Sequence, residues 1–130
     1  MSIDAPPERR APAKLRGLSH LFASARYSAG GLARLLGETA FRQEIMLGAA
    51  ILLILALASV SPAMLLIQVV LLLILAAAEA LNTAIELIVD RVSPEVSVFA
   101  KQAKDLGSFA VFCLLVVNLG FAAGALLLHA

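Results

Sequence analysis

Glu79, Asn82, Thr83, Glu86 and Asp90 punctuate the apolar run Glu79-Ala80-Leu81-Asn82-Thr83-Ala84-Ile85-Glu86-Leu87-Ile88-Val89-Asp90. At about 100° per residue, this spacing puts all five on one narrow stripe of a helix and leaves Leu81, Ala84, Ile85 and Ile88 on the other face. Hard carboxylate oxygens, with no paired histidines and a single cysteine, suit Mg²⁺ rather than zinc. Glu79 and Glu86 are seven residues apart, about 10.5 Å along a helix axis, too far to clasp one ion together. A second acidic element must complete such a site, and Glu38 and Glu44 are the available donors.

The elements that position this stripe are written in the composition. Of 130 residues, 62% are hydrophobic and 15% charged, whereas ordinary soluble domains have roughly 45–50% and about 25%. A chain this short has too little interior to hide so much apolar surface in water. Disorder would demand the opposite balance, and one cysteine excludes an internal disulfide framework or a Cys-based zinc site. The net charge of +1 carries no signal for nucleic acid, but the placement of charge does carry information. Residues 1–44 hold Arg9, Arg10, Lys14, Arg16, Arg26, Arg34 and Arg42; Ile45–Ala78 and Leu106–Leu128 hold no charge of either sign.

A bilayer core of about 30 Å needs roughly 20 helical residues. Ile45–Ala78 is too long for one crossing, and Ser59-Val60-Ser61-Pro62 interrupts it, with Pro62 suited to the first turn of a new helix. Three transmembrane spans are predicted, at about 38–58, 62–90 and 104–128. Basic residues mark cytoplasmic segments. The N-terminal region and the 91–104 connection are therefore cytoplasmic, and the uncharged 59–62 turn and the C-terminus periplasmic. Residues 1–15 read as a disordered tail without the apolar centre of a signal peptide. The domain proper is 16–130. At about 18–36, Leu18, Leu21, Phe22, Ala25, Ala29, Leu32 and Leu36 form one apolar face, the pattern of an amphipathic helix lying on the membrane surface. Gly30-Gly31 is expected to weaken or bend it. The fold class is thus an all-α membrane protein with no internal repeat.

Carboxylates near lipid are costly, so they usually face a bundle interior or an aqueous cavity and carry function. The competing reading is that Glu79 and Glu86 are solvated at the membrane edge. On the third span Lys101, Lys104, Asp105 and Ser108 share a face, and Gly107 permits close backbone approach. Lys104 suits a nucleotide phosphate as a mobile point charge, or else snorkels to the interface. Asn118, deeper in the span, is expected to hydrogen-bond between helices. Cys113 reads as packing, and His20 and His129 lie too far apart to pair on a metal. Tyr27-Ser28 sits where a ligand or the membrane interface would meet it, and Arg42 suits a lipid phosphate or a helix anchor. No Walker loop or protein-kinase signature is present.

Four blocks together carry a resemblance: Glu38-Thr39-Ala40-Phe41-Arg42-Gln43-Glu44, Glu79-Ala80-Leu81-Asn82-Thr83-Ala84-Ile85-Glu86, Val89-Asp90-Arg91 and Ala103-Lys104-Asp105-Leu106-Gly107-Ser108. In order and spacing, from Leu18 to the C-terminus, the chain resembles the small integral-membrane diacylglycerol kinases of bacteria. The related undecaprenol kinases share the second and third blocks, while the block at Phe41–Glu44 is more similar to the Gram-negative diacylglycerol kinases. The resemblance implies Mg²⁺-dependent transfer of the ATP γ-phosphate to diacylglycerol, giving phosphatidic acid in the inner membrane. It implies a homotrimeric helix bundle with active sites shared between neighbours. It implies Glu79 as general base with Asn82 organising the site, and Glu38 and Glu86 as magnesium ligands that also meet ATP. Tyr27, Glu95, Lys104 and Asp105 correspond to nucleotide positions; Ala40, Phe41, Arg42, Gln43, Glu44, Glu79 and Ser108 correspond to lipid-substrate positions. Two departures stand out: His20 replaces a family arginine, with Arg16 nearby, and the stretch from Tyr27 to Glu38 is one residue short. The rival from another class is a non-enzymatic membrane transporter or assembly subunit. A transporter needs a path across the bilayer, yet every acid gathers on one side.

Overall fold

The computed structural model describes residues 17–95 and 97–129; the expected tail at 1–15 lies outside the described residues. Four helices follow one another: α1 (Leu18–Leu36), α2 (Thr39–Leu57), α3 (Pro62–Val92) and α4 (Val98–His129). The last three are long and apolar enough to cross a membrane.

Local chemistry explains the boundaries. At the end of α2, Ser59 adopts a left-handed conformation with φ of 58°. Ser59 N–H then donates to Ala56 O at 3.0 Å and Val60 N–H to Leu55 O at 3.2 Å, the paired bonds that close a helix C-terminus. Val60 is thereby folded back onto Leu55 in a core with Ile51, Ala122 and Ala125. Ser61 Oγ accepts from Met64 N–H at 3.3 Å and Pro62 occupies the first turn of α3, so α3 restarts two residues later. The break at Ser59–Pro62 is where the sequence places it.

The start of α4 is not. Charge placement predicts a span from 104, whereas the helix begins at Val98. Ser97 is the reason: its Oγ accepts from Ala100 N–H at 3.1 Å and its carbonyl from Lys101 N–H at 3.0 Å. The helix therefore extends beyond the apolar stretch, with Lys101 and Lys104 on its polar first turns. Similarly, α1 runs unbroken through Gly30-Gly31. Its apolar residues Leu18, Leu21, Phe22 and Leu32 are exposed on the described chain.

α3 and α4 are antiparallel partners, as the pairs Asp90–Lys104 and Gln68–Asn118 record. The upper part of the α3 stripe turns inward: Glu79, Asn82 and Thr83 are buried, as are Gln68 and Leu75 before them, whereas Glu86 is half-buried and Asp90 exposed; Leu81, Ile85 and Ile88 are exposed on the opposite face. Asn118 makes the expected interhelical bond, accepting from Gln68 Nε2 at 2.8 Å.

A carboxylate-lined cleft between three helices

Helix α2 enters the site through a two-residue joint. Gly37 and Glu38 separate α1 from α2, with Glu38 in an extended conformation just before Thr39. Arg42 braces this joint from one turn into α2. Its guanidinium donates to Leu36 O at 3.3 Å, Gly37 O at 3.4 Å and Thr39 Oγ1 at 3.3 Å, covering carbonyls that α1 leaves free at its end. These bonds make Arg42 a helix anchor, one of the two roles the sequence allows it. Arg34, in the last turn of α1, pairs with Glu38 at 2.5 Å. Half-exposed on both sides, that pair is worth under about 1 kcal/mol and can yield to a competing cation.

The joint brings Glu38 to a cleft of about 340 Å³. Its walls are Glu38, Ala40 and Glu44 from the start of α2, Glu79, Asn82, Thr83 and Glu86 from α3, and Ser108, Val111, Phe112 and Leu115 from α4. Four carboxylates from two chain segments thus converge, as the axial distance between Glu79 and Glu86 requires. Glu79 is only 5% exposed.

Asn82 is held in one orientation. Its Nδ2 donates to Glu86 Oε1 at 3.3 Å, one turn along α3, which leaves the amide oxygen turned to α4. There Gly107 gives way: a Cβ on residue 107 would overlap Asn82 Oδ1. Asn82 Oδ1 and Glu44 Oε2 are both buried acceptors without a hydrogen-bond partner. Buried acceptors are ordinarily satisfied; Glu44 Oε2, on the α2 wall, points to a cation or a hydroxyl donor as its natural partner, whereas Asn82 Oδ1 is packed against Gly107 of α4.

This donor set fits magnesium, which binds through one or two carboxylates and completes its octahedron with water and substrate phosphate. Among the described residues, no three Asp, Glu, His or Cys side chains form a cage able to hold an ion by themselves. A metal here would depend on the phosphates it accompanies.

The remaining residues expected at the site lie elsewhere on this chain. Phe41 is buried beside Glu44 in an adjoining apolar groove between α2 and α3. Lys104 and Glu95 line a separate hollow at the α3–α4 connection with Asp90, Ser93 and Lys101. Lys104 Nζ donates to Asp90 Oδ1 at 2.5 Å and Lys101 to Asp105 Oδ2 at 2.6 Å. Tyr27 is 72% exposed on α1, and Gln43 is exposed on α2. Sequence reasoning missed the apolar wall of Val111, Phe112 and Leu115, although their spacings of three, four and seven from Ser108 are a helical face. Thr83 was legible on the stripe but not singled out for the cleft.

Fold and cleft together define a class: an all-helical membrane protein with an acidic site at the end where its polar segments gather. Residues 26–127 match the family of prokaryotic diacylglycerol kinases, and the chain belongs to that family. It is 50% identical over 110 residues to a diacylglycerol kinase of Sinorhizobium sp., covering 85% of this chain and 80% of that protein. It is 40% identical over 102 residues to a diacylglycerol kinase of Pseudomonas aeruginosa, covering 78% of this chain and 83% of the relative. A diacylglycerol kinase of Escherichia coli K12 is 37% identical over 108 residues, covering 78% and 84% respectively.

Proposed function

We propose that this protein transfers the γ-phosphate of ATP to the primary hydroxyl of 1,2-diacylglycerol, giving phosphatidic acid and ADP. The observation that carries this reading is the convergence of Glu38, Glu44, Glu79 and Glu86 with Asn82 and Ser108 on one cleft. The names of the relatives support the substrate, as does the block Phe41-Arg42-Gln43-Glu44.

The lipid hydroxyl approaches from the bilayer along the apolar side of the cleft, beside Val111 and Phe112. Glu79 takes its proton as the hydroxyl oxygen bonds to the γ-phosphorus and the bond to the β-phosphate's bridging oxygen breaks. Glu38 and Glu86 would hold Mg²⁺. Bound there, it neutralises phosphate charge and orients the nucleotide. Asn82 fixes Glu86 through its amide hydrogen bond. Tyr27, Glu95, Lys104 and Asp105 are the nucleotide contacts in this reading, and Ala40–Glu44 with Ser108 the lipid contacts. In this reading the protein is a homotrimer in which neighbours complete each other's sites, which is compatible with Tyr27 and Lys104 lying outside the cleft of their own chain. The polar ends face the cytoplasm, with the N-terminus inside, the C-terminus periplasmic and α1 along the inner surface of the bacterial cytoplasmic membrane, where its exposed apolar residues meet lipid.

The test is the purified protein in mixed micelles with γ-labelled ATP and one lipid alcohol at a time. Label on diacylglycerol, dependent on Mg²⁺, is expected. Label on undecaprenol alone reassigns the substrate, and label on neither removes the kinase reading.

A further inference from the structure

Gln68 and Asn118 are 0% and 1% exposed, amides sealed inside apolar helices. They lie well away from the acidic cleft: Gln68 precedes Glu79 on α3 by eleven residues and Asn118 follows Ser108 on α4 by ten, each about 15 Å along its axis. The phosphoryl transfer uses neither. Asn118 Nδ2 donates to Leu114 O at 2.9 Å and across to Leu71 O of α3 at 3.2 Å, which occupies both of its protons. Asn118 Oδ1 accepts from Gln68 Nε2 at 2.8 Å. One level of α4 is thus tied to both the side chain and the backbone of α3.

The tie is not an optimum for stability. Gln68 Oε1 is buried without a donor, and an orphaned acceptor in apolar surroundings is costly. Two aliphatic residues here would commonly be as stable or more so. The amides bring alignment instead. An apolar seam accommodates neighbouring offsets, whereas a bridging amide pair fits at one register. The opposite end of the helix pair is already pinned by the Ser93–Ser97 connection and the Lys104–Asp90 bridge. The α3 and α4 walls of the cleft lie between the two pins.

We infer that Gln68 and Asn118 form a positioning latch that keeps Gly107 and Ser108 in register with Asn82 and Glu79. The inference rests on the lipid-kinase reading of the cleft. The informative variant is Q68L/N118L, which removes both amides and leaves no orphan. Its unfolding midpoint in denaturing detergent stays at or above the parent's, while kcat falls about ten- to a hundredfold with a smaller change in KM for ATP, as expected for misplaced reacting groups. Q68L alone, which strands Asn118 Oδ1, loses stability and activity together. Spin labels at Leu81→Cys and Leu106→Cys in a Cys113→Ala background, diluted with unlabelled protein, report one narrow distance in the parent and a broader or second one in Q68L/N118L. A double variant with the parent's kcat and distance distribution overturns the latch. So does one whose activity falls only in step with its stability. If the parent itself phosphorylates no lipid, the kinase reading fails, and the spin-label distances alone then decide the latch.

Discussion

Asn82 donates a hydrogen bond to Glu86 one turn along α3, while its carbonyl oxygen presses on Gly107 of α4. One side chain thereby couples a proposed metal ligand to the packing distance between two membrane helices. The absence of a side chain at 107 is what lets the coupling exist.

Gly107→Ala should therefore disturb both properties. The added methyl would overlap Asn82 Oδ1 and crowd Asn82 Cγ at 3.3 Å. Overpacking of this kind costs about 1–3 kcal/mol. Detergent unfolding should show that loss, and kinase assays should show a larger fractional fall in kcat than in binding. Unchanged stability and kcat would mean that the helices have room to spare.

Glu79→Gln keeps the shape of the buried side chain and removes its ability to accept a proton. Turnover should fall by about 10²–10⁴-fold, the usual contribution of a positioned base, with nucleotide binding and assembly retained. Near-normal turnover in a lipid phosphorylation assay would remove Glu79 as base.

Ser61→Ala deletes the side-chain oxygen that caps α3. Loss of such a cap costs about 1 kcal/mol. The turn lies at the end of α3 away from Glu79 and Glu86, so the variant should unfold earlier yet keep the parent's kcat and KM at permissive detergent concentrations.

The stripe from Glu79 to Asp90 and the break at Ser59–Pro62 were legible because each rests on local chemistry, helical periodicity in one and proline with serine capping in the other. The need for a second acidic element followed from the rise of a helix, and the cleft supplies Glu38 and Glu44. The start of α4 was misread because charge marks where a membrane ends, not where a helix does; Ser97 held the missing signal. Gln68 escaped because an uncharged amide leaves no gap in a charge map, and its partner lies fifty residues away. The distribution of Tyr27, Lys104 and Glu95 outside the cleft was illegible for another reason. Sequence order places residues on helices but does not say which helices come together at one cleft.

In the proposed mechanism Glu38 and Glu86, from separate segments, meet on the metal of a bound nucleotide. Mn²⁺ in place of Mg²⁺, added with a non-hydrolysable ATP analogue, makes that meeting visible by electron paramagnetic resonance. The parent protein should bind the Mn²⁺–nucleotide complex, and Glu38→Gln and Glu86→Gln should each weaken binding by tenfold or more, about 1.4 kcal/mol, with the assembly intact. Binding equal to the parent's in either variant would contradict the account.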